Sequence, residues 1–375
     1  MSEEMNGFLV LDVVFEGQSL NYDQGIGNVQ LLKKIHYNGE THTLVSRYAL
    51  RYSLLETGQN LWKWNLADRN VWVEVGKVED KKVLQPRSDL LCNLLDYVDL
   101  NLFGFLLTGE SDKKEKNKKN ENESENKKSG KGSISIARPA PVKISHAISL
   151  EPYKFDSHFN VNLGVAKRAG RLGDVQNIFQ LEEHRSLYKY TVAVDLAALG
   201  KQEVYFNEDK NIPENCKQYL KKENGYYVLT LKSSEDQRKL LLQLLVTLFS
   251  LKRSIKGRLE DLSPKFMIAS YYNSWYKSYF NYIELKTGKS RSTVIKKEND
   301  NTVIVEDLQS PHLILSIGNT ISENSKIYKV TSIDTDIDLN QNQVYKNPKD
   351  LIYDLNNEIT KLNENDINNI INKFI

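Results

Sequence analysis

The sequence predicts an α+β protein built on a ferredoxin-like sheet, because two strand–helix–strand units follow one another with long insertions between them. In the first unit, the apolar run GFLVLDVVF at residues 7–15 is typical of a buried strand, and Ser46 begins a helix pattern. In the second unit, the strongest helix pattern of the chain, residues 233–254, lies between strand patterns at 225–232 and in SPKFMIASYY.

The other elements of the first unit are a loop and a hairpin. The loop EGQSLNYDQGIGN is followed by NVQLLKKIHYNGETHTLV, whose Asn-Gly pair at 38–39 is typical of a hairpin turn. Ser46 is a favourable N-cap, and its helix is predicted to reach about Glu56, with Gly58 as the C-terminal stop. A further helix is predicted near Ser88–Tyr97.

The insertions and the C-terminal part contain shorter elements. Strands are predicted near 100–107, 134–150 and 188–197. The helix at 233–254 is expected to begin at a serine N-cap and to end at Lys252 and Arg253. Three β-like runs, TVIVED, HLILSI and KIYKVTSI, precede polar amphipathic helices near the end of the sequence. Residues 109–133 contain no apolar side chain, which predicts a mobile loop inserted at a strand connection.

The composition fits a soluble globular protein. The 375 residues could hold two average domains or one core with large insertions; 40% are hydrophobic and 27% are charged, with a mean hydropathy of −0.52. No apolar run approaches the roughly 18 residues that span a bilayer, and the acidic start MSEEMNG is unlike a signal peptide. We therefore expect a cytoplasmic protein without a membrane partner. The net charge of +2 does not by itself indicate a nucleic-acid binder.

The sequence shows no specific motif for a metal, a cofactor or catalysis. The six histidines are scattered, with no HxH or HExxH pattern. Cys92 and Cys216 lie far apart and outside any CxxC motif, which argues against a disulfide scaffold or a cysteine zinc site and favours a reducing compartment. GVAKRAGRLG and KTGKS each lack part of a phosphate-binding P-loop. We expect no enzymatic activity, no cofactor and no metal.

Three stretches instead combine cations with glycine or aromatic residues. The first couples an asparagine-rich loop to a helix start, where free N–H groups favour an anion and two arginines one turn apart can bind phosphate oxygens. The second could be a long hairpin, and the third follows the strongest helix. Each also has an ordinary interpretation as a solvated loop or a capped helix end. The residues are Asn21, Asn28, Lys33, Ser46, Arg47 and Arg51 in the first stretch, Lys167, Arg168 and Arg171 in the second, and Lys256, Gly257 and Arg258 in the third.

Six segments of the chain, in order, resemble successive blocks of a known family. They are SLNYDQGIGNVQLLKKI, VSRYALRYSL, DLNLFGFLL, ARPAPVKISHAISLEPY, NIFQLEEHRSLYKYTVAVDL and KGRLEDLSPKFMIA. The family is the backbone subunit of type I CRISPR Cascade complexes, in the type I-B or DevR autoregulator branch of the RAMP superfamily. The resemblance covers about residues 7–272, and the last hundred residues match less clearly.

The resemblance implies one elaborated domain over residues 1–375, with an RRM-like palm, a finger region that includes the 109–133 loop, and a thumb hairpin at 158–186. Residues 276–375 would form a C-terminal region with no assigned role. The implied palm consists of residues 7–60, 100–108, 134–157, 186–200 and 225–275.

The resemblance also implies a function and its partners. Ser46, Arg47 and Arg51 would contact a CRISPR guide RNA, together with the other residues of the three basic stretches and with Arg138 and His146. The third stretch departs from the family pattern, because Gly257 is a single glycine where relatives often have several. Expected partners are the guide RNA, target DNA through that guide, copies of the chain in a helical filament, the large, small and guide 5′-end-capping subunits, and indirectly an effector helicase–nuclease.

The sequence leaves two alternatives open. In type III relatives an aspartate in the loop after the first strand cleaves target RNA, and Asp23 lies in a comparable loop here. The chain could also be a generic RNA-binding or protein-interaction module. It lacks the aromatic signature with which RRM domains stack bases, so base reading in that style is not predicted.

Overall fold

The structure is a computed structural model of the chain. It describes residues 4–37, 39–78, 81–108, 136–161, 163–170, 179–207, 212–233, 235–298, 301–318, 321–336 and 342–373. The predicted mobile loop at 109–133 and the candidate residue Arg171 lie outside the described residues. Strands and helices are interspersed along the described chain, which is a mixed α+β protein, as the sequence predicts.

The elements of the described chain are numbered in sequence order. The strands are β1 (Phe8–Gln18), β2 (Val29–Gln30), β3 (Lys34–Tyr37), β4 (Glu40–Val45), β5 (Trp72–Val78), β6 (Lys81–Pro86), β7 (Phe105–Leu107), β8 (Ile136–Arg138), β9 (Val142–Ile144), β10 (Ala147–Ser149), β11 (Ser157–Asn160), β12 (Phe179–Glu182), β13 (Arg185–Asp195), β14 (Lys201–Phe206), β15 (Leu220–Glu223), β16 (Tyr226–Lys232), β17 (Lys252–Ile255), β18 (Arg258–Asp261), β19 (Phe266–Tyr272), β20 (Ile283–Glu298), β21 (Asn301–Ile317), β22 (Lys326–Lys329), β23 (Asp334–Thr335) and β24 (Gln343–Tyr345). The α-helices are α1 (Arg47–Trp62), α2 (Val98–Phe103), α3 (Leu163–Arg168), α4 (Gln237–Phe249), α5 (Pro348–Leu355) and α6 (Glu364–Ile371). Segments of 3-10 helix lie at Ser88–Asp96, Glu214–Tyr219 and Phe280–Tyr282, and a π-helical turn lies at Asn356–Thr360.

β1 lies in the middle of the main sheet, and its position explains the uninterrupted apolar run in the sequence. The strand order is β24-β22-β19-β1-β13-β10-β4-β3, and β9 also pairs with β13. β1 is antiparallel to both neighbours, so that Leu11 lies opposite Val192 of β13 and Ala269 of β19. Because both faces of β1 are covered by other parts of the chain, apolar residues occupy successive positions.

One face of this sheet packs against helices. Leu9 and Phe15 of β1 share the largest core with Leu54 of α1, Leu245 of α4 and Ile370 of α6. The apolar residues of α4 are buried around most of its circumference, which agrees with the breadth of its apolar sequence pattern. The two helices that follow β4 and β16 therefore cover the same side of the sheet.

The opposite face of the sheet is covered by the C-terminal part of the chain. Val14 of β1 packs with Tyr279, Ile283 and Leu315 in a separate core. Asp12, also on this face, accepts hydrogen bonds from Thr191 Oγ1 at 2.6 Å, Ser278 Oγ at 2.7 Å and the Tyr279 N–H at 2.7 Å. Burial raises the pKa of the Asp12 carboxyl despite these bonds. This carboxyl fixes the start of the C-terminal region to the sheet.

A smaller third core forms beside the main sheet. It contains Val71, Leu91 and Leu107 from the segment after α1, and Val204 and Leu229 from the segment between β13 and α4. A disulfide between Cys92 and Cys216 joins two 3-10 segments of this body. The expectation that these cysteines do not form a disulfide is therefore corrected, because folding brings together residues 124 positions apart in sequence.

Several predicted boundaries differ from the structure because packing outweighs local sequence signals. Gly58 does not end α1, which continues to Trp62; a β-carbon at this glycine would lie 2.0 Å from the Trp64 ring, so the residue permits a close contact. Residues 98–103 form a helix, and the predicted strand is reduced to β7. α4 begins at the N-cap Asp236 and ends at Phe249, before β17.

β20 and β21 form the longest hairpin of the described chain. Their pairing extends from Ile283 opposite Ile317 to Glu298 opposite Asn301. KTGKS lies inside β20, so this sequence forms a strand and not a phosphate-binding turn. Within the described ranges, no helix is both long enough and apolar enough to cross a membrane.

Arg138 provides a test of the packing between the main sheet and the smaller body. Its guanidinium donates to three backbone carbonyls, at Asn101, Ala198 and Lys201, with distances of 3.0–3.1 Å. Arg138→Ala should lower the free energy of unfolding by about 2–4 kcal/mol, because buried acceptors would be left without their donors. Urea denaturation measures this change. Arg185→Ala, at an exposed arginine, is the matched control and should lower the free energy of unfolding by less than about 1 kcal/mol. Equal decreases in the free energy of unfolding for the two variants would contradict a structural role for the Arg138 hydrogen bonds.

Candidate functional site

Two adjacent buried carboxylates hold the loop between β1 and β3. Glu182 accepts from the Leu32 N–H at 2.7 Å and from Lys34 Nζ at 2.6 Å. Glu183 accepts from Ser19 Oγ at 2.6 Å and lies 3.2 Å from an Arg258 nitrogen. Burial opposes ionisation of Glu183, but hydrogen bonds from Ser19 and Gln18 and the charge of Arg258 outweigh it and lower its pKa. The loop is thus fixed at both ends.

The start of α1 brings four predicted residues together. Asn21 Oδ1 accepts from the Ser46 N–H at 2.9 Å, and His146 Nδ1 accepts from the Arg47 N–H at 3.0 Å. The Ser46 side chain caps the helix by accepting from the Ala49 N–H at 3.2 Å. His146 arrives through the pairing of β10 with β4, which places Ala147 opposite Val45.

The third basic stretch forms a tight turn that contacts the loop after β1. Ile255 pairs with Arg258 across the β17–β18 hairpin, and Lys256 and Gly257 adopt φ angles of +48° and +77°. Glycine suits the second position, because side chains rarely adopt this conformation. Lys256 Nζ lies 3.4 Å from Gln30 Oε1. The turn therefore presents an exposed cation beside the first stretch.

The second basic stretch also adjoins this loop. β11 and β12 pair antiparallel, and the chain between them contains α3, which ends in the exposed Lys167 and Arg168. β12 pairs with β2, and the Gln180 N–H donates to the Asn28 carbonyl at 2.9 Å. The loop after β1 thus contacts segments from both of the other basic stretches.

The cations of this surface fall into two groups. Arg47, Lys167 and Arg168 are exposed, whereas Arg258 is half-buried and paired with Glu183. Lys33 lies 3.6 Å from the Asp23 carboxylate. Arg51 is also half-buried, because its guanidinium carbon lies 4.1 Å from the centre of the Phe103 ring. The exposed group is accessible to a ligand; in the half-buried group Lys33 and Arg258 are paired with acids, and Arg51 is partly accessible.

Arg138 does not belong to this surface. Its side chain is only 5% exposed, and its guanidinium is bonded to the carbonyls of Asn101, Ala198 and Lys201. Burial lowers its pKa to about 10. The prediction that Arg138 binds RNA is corrected on this ground, since the guanidinium faces the interior between two bodies of the chain.

Sequence reasoning misses the residues that organise the surface. The sequence places Arg253 at a helix end, but it lies in β17 and donates to the Leu20 carbonyl at 2.8 Å and to Ser53 Oγ at 3.1 Å. Glu182 and Glu183 do not stand out, because an acidic pair in a strand carries no signal of burial.

The arrangement is suited to binding an anion with several charges. The exposed Arg47 lies at the serine-capped start of α1, and the charges of Arg47 and Lys33 both act on the adjacent His146, so that phosphate oxygens could be bound at more than one point. Among the residues that the structure describes, no group of three or more His, Cys, Asp or Glu side chains is arranged to hold a metal ion.

Comparisons with known proteins show similarity to CRISPR-associated proteins. Residues 9–293 match the family of the CRISPR-associated negative auto-regulator DevR/Csa2. A relative from Myxococcus xanthus (strain DK1622), described as CRISPR-associated protein Cas7/Cst2/DevR, is 30% identical over 185 residues. That match covers 46% of this chain and 52% of the relative, so the chain spans about half the length of this curated relative.

Two solved structures are also similar to the chain. One, titled CRISPR RNA-guided surveillance complex, matches with a TM-score of 0.42 and 11% identity, over 93% of this chain and 98% of that chain. The other, the same kind of complex described as pre-nicking, has a TM-score of 0.37 and 11% identity, over 70% of this chain and 75% of that chain.

The hydrogen bond from Arg47 to His146 predicts a pH dependence of stability. Burial lowers the pKa of His146, and the charges of Arg47 and Lys33 act in the same direction. The fold therefore favours the neutral ring, and its contribution is present above the unfolded pKa of about 6.5 and declines as pH falls below that value. His146→Asn, which retains an acceptor but does not titrate, should show a smaller decrease in stability than the wild type between about pH 7.5 and 5.5.

Urea denaturation at the two pH values measures this difference. If His146→Asn loses as much stability between the two pH values as the wild type, the ring does not titrate in the way that its contacts indicate.

Proposed function

Because the chain belongs to the CRISPR-associated DevR/Csa2 family, we propose that it is the guide-RNA-binding backbone subunit of a type I-B Cascade complex. The observation that carries this proposal is that the loop after β1 contacts the basic start of α1, the basic β17–β18 turn, and β12, which follows the second basic stretch in the chain. Asn21 and His146 bond the start of α1, Gln30 lies beside the β17–β18 turn, and Asn28 bonds β12. One continuous ligand can contact all of these segments.

The proposed ligand is the sugar–phosphate backbone of the guide. Arg47, Lys167, Arg168 and Lys256 are exposed cations, and such groups bind phosphates without reading base identity. Guide bases that remain unbound can then pair with target DNA, so that base pairing supplies the sequence specificity. We propose that the complex acts in antiviral defence, because base pairing of the guide directs it to complementary target DNA.

The strand order supports a ferredoxin-like palm. The order β19-β1-β13-β9 places the fourth, first, third and second strands of such a fold side by side, with α1 and α4 as its two helices. The body with the Cys92–Cys216 disulfide would be the finger region, and the β11–β12 pair would frame the thumb. In an RRM, RNA crosses the free face of the sheet, but here residues around Tyr279 cover that face. We propose that the guide lies at the end of β1 instead.

The assembly is proposed to contain several copies of the chain. A backbone subunit that contacts only part of a long guide must be repeated along it, which gives a helical filament. The remaining Cascade subunits, namely the large, small and 5′-end-capping subunits, would complete the complex in the cytoplasm. An effector helicase–nuclease would act on the target bound by this assembly.

The subunit is proposed to be a binding protein and not an enzyme. The alternative, cleavage of target RNA through Asp23, depends on an available carboxylate in the loop after β1. Asp23 is exposed there, and its carboxylate lies 3.6 Å from Lys33 Nζ. This ion pair supports a role in positioning Lys33 and gives the carboxylate a function without catalysis.

Removing the arginines of α1 tests guide binding. Arg47→Ala with Arg51→Ala should weaken guide binding on the order of 10-fold or more and to the same extent for guides of different sequence. The slope of log K against log salt concentration should become shallower by about 0.7 for each phosphate that the variant no longer neutralises. Filter binding or fluorescence anisotropy over a salt series measures both quantities.

Arg87→Ala is the matched control for this pair, because Arg87 is exposed in the smaller body and bonded to Asp89. It should leave the guide affinity and the salt slope unchanged. A decrease in affinity that depends on guide sequence would contradict backbone binding, and an unchanged affinity would refute the proposed site.

Incubation of the assembled complex with complementary RNA and a divalent metal tests the enzymatic alternative. We expect the RNA to stay intact with the wild type and with Asp23→Ala, since the proposed subunit only binds. Gel electrophoresis of end-labelled RNA measures cleavage. Cleavage by the wild type that is abolished in Asp23→Ala would overturn the assignment as a binding protein.

A further inference from the structure

Two tyrosine rings on α1 are exposed beside the proposed phosphate site. Tyr48 and Tyr52 are 62% and 64% exposed, so most of each ring is accessible to a ligand. They are separated by four residues, so they lie on one face of α1, one turn apart. Leu50 and Leu54 occupy the buried side of the same helix.

Arg47 orients the first ring. Its guanidinium donates to Tyr48 Oη at 3.1 Å, and its central carbon lies 5.0 Å from the centre of the Tyr48 ring. A cation at this distance is attracted to the ring, which limits the motion of both side chains. Since Tyr48 is still mostly exposed, much of the ring remains open to a ligand.

The second ring is held neither by a hydrogen bond nor by another ring. Within the described part of the chain, the Tyr52 side chain makes no contact of either kind. Its exposed apolar area would be more favourable if covered. Tyr52 lies one turn after Tyr48, which the exposed Arg47 contacts, and this position favours a partner that has both negative charge and flat apolar surfaces, which is the chemistry of single-stranded nucleic acid.

We propose that Tyr48 and Tyr52 form a stacking surface for nucleobases of the guide RNA. The inference rests on the proposed function and adds a contact to the bases, where the proposed contacts are otherwise to phosphates alone. Arg47 would bind a phosphate at one edge of the surface, and a base attached to the neighbouring sugar would lie against the ring. Every base has a flat face, so this contact tolerates any guide sequence.

The experiment is a double-mutant cycle between the rings and single bases. One variant combines Tyr48→Ala with Tyr52→Ala, and the RNA is the shortest guide fragment that one copy binds, intact or with an abasic nucleotide at each position in turn. The alanine variant should bind the intact RNA on the order of 10-fold more weakly, as expected when a base stack is removed. At one or two positions, an abasic nucleotide should weaken binding to the wild type on the order of 10-fold as well. The same abasic nucleotide should weaken binding to the alanine variant by less than about 2-fold, because that variant has no ring for the base to contact.

Two further variants make the result specific. Tyr48→Phe with Tyr52→Phe retains both rings and should regain most of the affinity that the alanine variant lacks. Tyr205→Ala, at a tyrosine on β14 that is 63% exposed, is the matched control for removal of an exposed ring. Thermal unfolding of each variant establishes that the fold is retained, since both α1 rings are exposed.

Three outcomes would overturn the proposal. One is an abasic effect of equal size in the wild type and the alanine variant, which would mean that the rings touch no base. Another is a phenylalanine variant as weak as the alanine variant. A third is an alanine variant that binds the short RNA normally but fails to form multi-copy assemblies. The rings would then contact a neighbouring copy of the chain and not the RNA. The proposed function fails separately, if the wild-type chain binds no guide or if Arg47→Ala with Arg51→Ala binds it normally.

Discussion

The buried carboxylate of Glu183 is the interaction on which the candidate surface depends. It joins Ser19 at the end of β1 to Arg258 at the start of β18, and these two segments lie far apart in sequence. A buried carboxylate is stable only when charged or polar donors surround it, so the loop and the hairpin must be in place together. Glu182 acts similarly on Leu32 and Lys34. The two acids therefore hold the loop between β1 and β3 and tie it to the β17–β18 hairpin, whose turn carries the exposed Lys256.

The second constraint is the coverage of the main sheet on both faces. Helices occupy one face, and the C-terminal region, fixed by the hydrogen bonds of Asp12, occupies the other. A ligand is therefore excluded from both faces near β1. The loops at the end of β1 are a place where several segments of the chain meet, and the basic stretches converge there. The location of the surface thus follows from how the sheet is buried.

Sequence patterns predict the parts of the fold that local chemistry determines. The apolar run of β1, the serine cap of α1 and the apolar face of α4 each appear in the structure close to their predicted positions. The sequence predictions fail where tertiary contacts determine the local structure or the burial of a residue. Gly58 is an internal helix residue that leaves room for the Trp64 ring, and Arg138 is buried where three carbonyls from distant segments accept its hydrogen bonds. The meeting of His146 with Arg47 depends on the pairing of β10 with β4 between residues 99 positions apart, and no sequence pattern indicated it in advance.

The distribution of charge explains why the net charge of +2 gives no sign of the local candidate surface. Arg258 and Lys34 are neutralised by buried acids, and Arg253 is occupied by carbonyl and hydroxyl oxygens. These cations hold the loops and are unavailable to a ligand. The guanidinium of Arg47 lies against the Tyr48 ring instead. A cation paired with an aromatic ring keeps its charge available to a phosphate, so the same residue can bind the ligand while orienting the ring beside it.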